Sequence, residues 1–138
     1  MNTIFSNFDI LEFENYFCSE ERCLEYLSQL KWHNGYACRR CGHASFCKGK
    51  TPFSRRCNKC KSEESATAHT LFHKCKFPLM QAFRIIFHVC NSPDVSIHKL
   101  SEEIKLRQMT CWKFKKKIEE CKKKRGDILL VDKQLIIH

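Results

Sequence analysis

The chain has 138 residues, with 25 Lys and Arg against 15 Asp and Glu, and a formal net charge of +10. A hydrophobic content of 43 % excludes disorder throughout, and no apolar run approaches the roughly 20 residues that a membrane-spanning helix needs. The length suits one domain or two very small ones.

The charge is unevenly placed. Residues 1–30 carry −5, residues 31–77 carry +9, residues 78–104 carry −1, residues 105–125 carry +8 and residues 126–138 carry −1. Two basic blocks on an otherwise acidic or neutral chain point to a polyanion partner, most often nucleic acid, or more blandly to a solvated lysine face.

Residues 1–17 mix acids with Phe5, Phe8, Phe13, Tyr16 and Phe17. They are expected to form an arm on the module that follows, with no readable secondary structure of its own. Ser19 then reads as a helix N-cap, with Glu20 and Glu21 in the first turn where carboxylates favour the helix dipole. Cys23, Leu24, Leu27 and Leu30 recur at helical spacing, which predicts a helix over about residues 20–30. Trp32 is expected to pack over the next module rather than stack on a base.

Cys38, Cys41, Cys57 and Cys60 form a C-x2-C-x15-C-x2-C pattern. Two cysteines three apart aim both sulfurs from one tight turn, each pair supplying half of a tetrahedron with Zn–S distances of about 2.3 Å. Gly42, directly after the first pair, suits the left-handed backbone of such a knuckle. Disulfides are the competing reading, since the chain has 11 cysteines. The odd count, the irregular spacing of the other seven, and the lack of a basic and apolar leader over residues 1–11 argue for a reducing, cytoplasmic location and one structural zinc. His43 and Cys47 lie close enough to compete as ligands, but the paired sulfurs are favoured. Gly49 and Pro52 mark a turn between two short strands, and residues 63–70 are expected to add a third. His69 and His73 stand too close to Cys60 for a ββα finger and read as ordinary side chains.

Pro78 opens an apolar-rich helix of about twelve residues from Leu79 to Cys90, ended by Asn91-Ser92-Pro93-Asp94. Ser96 caps a short helix carrying Ile97, Leu100 and Ile104. After Lys105-Leu106-Arg107, a third helix runs over about residues 108–124 with Cys111, Phe114, Ile118 and Cys121 as its apolar stripe. Three helices with a short turn before a basic last helix read as helix-turn-helix. Residues 128–131 read as a single short strand. The expected fold is therefore small α+β: an arm and helix over 1–31, a zinc ribbon over 32–74, a helix-turn-helix over 75–125 and a tail over 126–138.

This order of parts resembles the N-terminal half of zinc-ribbon insertion-sequence transposases, the bacterial group related to the eukaryotic Merlin elements. The family's Trp-x-x-Gly-x-x-Cys-x-x-Cys-Gly is matched from Trp32 through Gly42, its threonine-rich link by Thr67, Thr70 and Leu71-Phe72, and its recognition segment by Val95 through Trp112. The resemblance covers about residues 13–125. Lys105 stands where the family usually has a turn glycine, and Arg107 where it has a capping serine. The family continues into an RNase H-like domain with a carboxylate triad. The sequence here ends at His138, Asp132 has no partner carboxylates after it, and no enzymatic activity is expected.

The resemblance implies sequence-specific binding of double-stranded DNA at transposon terminal repeats. Gln108, Met109, Thr110 and Lys113 are expected to face base edges, because a recognition helix reads with its N-terminal turns. Arg107, Lys115, Lys116 and Lys117 are expected on phosphates, with Arg39, Arg40, Arg55 and Arg56 adding contacts from the ribbon. Leu100, Trp112 and Ile118 are expected to hold the helices together. The alternative from another class is a protein–protein adaptor that pairs with a full-length transposase through the aromatic, acidic N-terminus. A catalytic zinc needs an open coordination position, which four thiolates do not leave.

Overall fold

The computed structural model describes residues 9–126 and Leu130. These form five helices and one small sheet: α1 (Ile10–Tyr16), α2 (Glu20–Lys31), β1 (Phe46–Lys48), β2 (Arg55–Cys57), β3 (Glu63–Glu64), α3 (Leu79–Asn91), α4 (Ile97–Ile104) and α5 (Gln108–Arg125). Among the described residues they divide into a helical unit, residues 9–20 with 75–126, and a ribbon unit, residues 21–74 with Leu130.

The helical unit is built around α3, whose Leu79, Ala82, Phe83, Ile85, Ile86, Phe87 and Val89 are all buried. A helix apolar on so many sides belongs at the centre of its layer. Leu100 and Ile104 of α4 and Cys111, Phe114 and Ile118 of α5 are buried as well. The expected stripe on α5 is therefore the face it buries, except that Cys121 is only half-buried. Phe77 meets Phe114 edge to face at 5.4 Å between ring centres.

The first helix was not legible as an element. Asp9 accepts from the Glu12 amide at 2.8 Å and its own amide reaches the Glu12 carboxylate at 3.3 Å, a complete capping box that starts α1. Phe13 and Phe17, four apart on one helical face, pack on Phe87 at 4.5 Å and Phe83 at 5.1 Å. The aromatic segment expected as an arm on the ribbon instead completes the core around α3. Phe5 and Phe8 lie outside the described residues.

Glu20 does more than open its own helix. Its two carboxylate oxygens accept from the amides of Leu79 at 2.7 Å and Met80 at 3.1 Å. Pro78 occupies the N-cap of α3, one position earlier than expected, and has no side chain to offer a cap. Glu20 supplies that cap from a distant part of the sequence, placing negative charge at the positive end of the helix dipole.

The link between α4 and α5 is Lys105-Leu106-Arg107. Lys105 adopts φ 65°, ψ 43°, the left-handed conformation that a glycine would take freely. Its surroundings hold it there. Gln81 on α3 donates to the Ile104 carbonyl at 3.0 Å, the Ser101 hydroxyl donates to the Leu106 carbonyl, and Lys115 on α5 donates to the Val95 carbonyl at 3.0 Å. Ser96 caps α4 as expected, accepting from the Lys99 amide. Arg107 at the N-cap of α5 makes no side-chain capping bond.

In the ribbon unit β1, β2 and β3 form one antiparallel sheet in that order, with Phe46 opposite Cys57, Lys48 opposite Arg55, and Arg55 opposite Glu64. The third strand is shorter than expected. From Ser65 the chain turns repeatedly, because Thr67 and Thr70 bond locally and His69 and Lys74 take positive φ. The Leu71 amide donates to the Leu130 carbonyl at 2.9 Å. Leu130 is the only described residue of the strand expected over 128–131, and the rest of it lies outside the described residues.

Two outcomes are expected in denaturant unfolding followed by helical circular dichroism. Glu20→Ala strips the cap from α3 and costs about 1 kcal/mol. Lys105→Gly removes a left-handed penalty of about 1–2 kcal/mol against an added chain-entropy cost of about 0.5–1 kcal/mol, so it stabilises slightly.

Candidate metal centre and nucleic-acid interface

The two cysteine knuckles are built alike. In the first, the Gly42 amide returns to the Cys38 carbonyl at 2.7 Å, with Gly42 at φ 79°. In the second, the Lys61 amide returns to the Cys57 carbonyl at 3.1 Å, with Lys61 at φ 67°. Each turn therefore ends in a left-handed residue, glycine in one and lysine in the other. Inside each knuckle the amide of the second cysteine points at the sulfur of the first, at 3.4 Å in both. The Lys59 amide adds a second contact to the Cys57 sulfur at 3.3 Å.

The sheet brings the knuckles face to face. All four sulfurs lie within 4.8 Å of one another, with Cys38 to Cys60 and Cys41 to Cys57 at 3.5 Å. A tetrahedron with Zn–S bonds of about 2.3 Å has edges of about 3.8 Å, so the cluster already has the size of the coordination shell. Among the described residues it is the one group of three or more metal-capable side chains. Neither His43 nor Cys47 belongs to it. His69 and His73 are also elsewhere: the His69 amide donates to His73 Nδ1 at 2.9 Å and the rings stack.

The electrostatics prepare thiolates. The Cys41 amide draws the Cys38 thiol down to about 6. Burial works against ionisation of Cys57, but the amides of Cys60 and Lys59 outweigh it and the thiol falls below its ordinary value. At Cys41 the His43 amide favours the thiolate, while burial and the neighbouring thiols prevail and lift it to about 11. A dication accepting four sulfurs reverses that last shift, since metal binding releases the remaining protons. The four positions are closed by protein sulfur, and the chain carries one structural zinc of the ribbon type.

Trp32 and Tyr36 are buried with Cys38 and Cys57 in one cluster that Cys60 completes, so Trp32 packs over the zinc site as expected. Beside it lies a group the sequence did not disclose. Lys31 has a fully buried side chain, and its ammonium meets the Glu64 carboxylate at 2.6 Å and the carbonyls of Ser65 and Ala68 at 2.7 Å each. Three donors thus meet three acceptors. Burial lowers the Lys31 pKa, with Glu64 opposing that shift. Glu64 falls below the ordinary carboxylate range because Lys31 and Arg39 outweigh its own burial.

The basic residues divide into engaged and available ones. Arg39 pairs with Glu64 at 3.4 Å. Arg55 lies against two aromatic rings, its guanidinium carbon 4.6 Å from the Trp32 ring centre and 4.1 Å from that of Phe46. Arg40 is exposed and Arg56 half-buried. On α5, Lys115 donates to the Val95 carbonyl at 3.0 Å and pairs with Glu119 at 3.8 Å. Arg107, Gln108, Met109, Lys113, Lys116 and Lys117 are exposed and Thr110 is half-buried. Trp112 is the larger surprise. Expected to hold helices together, it is 46 % exposed, with the Lys116 ammonium 4.8 Å from its ring centre. Its position one residue after buried Cys111 places it off the Cys111–Phe114–Ile118 stripe, a signal already present in the helical periodicity.

Residues 18–63 match the family described as the transposase zinc-ribbon domain. The matched stretch covers about a third of the chain and contains all four cysteines, so this segment is a transposase-related zinc ribbon, a non-catalytic module associated with nucleic-acid binding. No curated protein and no solved structure matches the chain. Among the described residues, no helix is long and apolar enough to cross a membrane.

Two outcomes follow for this centre. The purified protein binds one zinc per chain by elemental analysis, and Cys57→Ser loses both the metal and the ribbon's cooperative unfolding transition. Lys31→Met strands the Glu64 carboxylate and two carbonyls in a buried site. It costs on the order of 3 kcal/mol in the unfolding free energy of the zinc-loaded protein.

Proposed function

We propose that this protein binds double-stranded DNA at transposon terminal repeats, reading sequence with the N-terminal turns of α5 and using zinc to hold the ribbon. The carrying observation is the outer face of α5. Gln108, Met109 and Lys113 are exposed at its start, while Cys111, Phe114 and Ile118 anchor the opposite face. An α-helix presented in this way fits the major groove, where base edges carry a unique donor and acceptor pattern.

The turn before α5 supports a helix-turn-helix reading. Lys105 takes the left-handed conformation that the family's glycine would supply, and α3 and α5 both bond the backbone around α4. Gln108, Met109, Thr110 and Lys113 face base edges in this reading. Arg107, Lys116 and Lys117 contact phosphates, with Arg40 and Arg56 adding positive charge from the ribbon. Lys115 positions α5 on the Val95 carbonyl instead of touching DNA. Exposed Trp112, braced by Lys116, joins the contact face.

The adaptor reading rests on one specific feature, the exposed Ile10 and Leu11 of α1, at 43 % and 69 %. A full-length transposase partner would cover them. Phe13 and Phe17 are not available to such a partner because they are buried against α3.

The deciding experiment is a salt titration of binding to terminal-repeat and random duplexes by the zinc-loaded protein. Lys116→Ala is expected to weaken both equally and to reduce the salt slope by about one. Gln108→Ala is expected to reduce the preference for terminal repeats by about 1–3 kcal/mol. A Lys116→Ala protein with the parent's slope removes α5 from the interface.

A further inference from the structure

The ribbon unit carries an open groove of about 580 Å³ beside the β1–β2 hairpin, lined by none of the four cysteines of the metal site. Phe46, Lys48, Lys50, Phe53 and Arg55 line it, together with the backbone turn at Thr51 and Pro52. Three bases face it against one acid, Glu21. Its charge therefore complements a polyanion.

The hairpin is built to present these side chains. All three residues of β1, at the edge of the sheet, are exposed. The loop after it is fixed from below. The Glu63 carboxylate accepts from the Lys50 amide at 2.8 Å and from the Ser54 hydroxyl at 3.0 Å, and a Cβ on Gly49 would lie 2.1 Å from the Ser54 oxygen. A larger residue at position 49 would have to displace the Ser54 and Glu63 side chains that fix the loop. Phe53 takes φ 61°, an uncommon conformation for a bulky residue, and lies on the groove wall.

Arg55 is the unusual group. Its guanidinium carbon lies over both the Trp32 and the Phe46 rings. Among the described residues it makes no ion pair and no side-chain hydrogen bond. An arginine held rigid by stacking, with its N–H fork uncommitted, is preorganised for a phosphate. Phe46 itself is 41 % exposed and also touches Tyr36 at 5.0 Å. A partly exposed ring beside this guanidinium and the exposed Lys48 and Lys50 combines a stacking platform with backbone neutralisation, with Glu63 offsetting part of the Lys50 charge.

We infer that the β1–β2 groove of the ribbon binds single-stranded nucleic acid, stacking an unpaired base on Phe46 and holding the adjoining phosphates with Arg55, Lys48 and Lys50. A duplex cannot use Phe46 this way, because its base faces are covered by their neighbours in the stack. The groove therefore differs from the α5 face in the form of nucleic acid it takes, and it stands without the duplex reading.

The test measures fluorescence anisotropy of labelled oligo(dT) and of a random duplex against the full, zinc-loaded protein. Phe46→Ala is expected to weaken oligo(dT) binding roughly tenfold and to leave duplex affinity unchanged. Arg55→Lys keeps the charge but loses the stacked fork, and is expected to weaken oligo(dT) binding as well. Lys116→Ala gives the opposite pattern, a loss on duplex alone, so either site can fail without the other. Zinc content checks that each variant retains the ribbon. Should Phe46→Ala disturb zinc binding, a Lys48→Ala/Lys50→Ala double variant tests the same groove from its solvent-exposed side, with the same expected split between oligo(dT) and duplex. Parent-like oligo(dT) affinity in these variants overturns the assignment, as does an equal loss on duplex and single strand.

Discussion

Four sulfurs held within one coordination radius are the constraint on which the ribbon depends. The three strands contribute eight residues in all, too few to form an independently stable sheet. Metal binding supplies the missing free energy and fixes the relation of the two knuckles. The backbone anticipates the metal: both knuckles aim amides at sulfur, and both end in a left-handed residue that turns the chain back. Trp32 and Tyr36 then cover Cys38 and Cys57, while Cys41 stays exposed.

The buried Lys31–Glu64 pair is the second fixed point of the same unit. An isolated ammonium in this position would be prohibitively costly, and only complete hydrogen bonding makes it tolerable. By engaging the carbonyls of Ser65 and Ala68, Lys31 ties the end of α2 to the chain just after β3. Its ammonium also lies 4.8 Å from the Trp32 ring centre, so the ion pair and the aromatic lid of the metal site support one another.

Much of this was legible where the physics is local. Cysteine spacing named the ligands, Gly42 announced a left-handed turn, and Ser96 and the Cys111–Phe114–Ile118 periodicity placed the last two helices. What the sequence hid was non-local. Lys31 reads as an ordinary basic residue until Glu64, 33 positions later, is brought beside it. Glu20 looks like a first-turn acid of its own helix, yet it caps another. Arg55 looks like one more surface cation until the Trp32 and Phe46 rings are seen against it. The capping box of α1 was local and could have been read from Asp9 and Glu12, but the dense aromatics around it obscured the helical period.

The capping of α3 by Glu20 also bears on how the chain is made. The helical unit takes its first segment from residues before the ribbon and the rest from residues after it. On a ribosome, Phe13 and Phe17 emerge before Phe83 and Phe87 exist to cover them, and the whole zinc ribbon is synthesised in between. A ribbon that folds on its metal as soon as Cys60 is available would compact the intervening chain and shorten the search that reunites α1 with α3. Zinc supply during translation would then bear on how readily α1 meets α3, although no described residue of the helical unit belongs to the cysteine cluster. A fragment starting at residue 75 would lack Phe13, Phe17 and the Glu20 cap however well its own helices form.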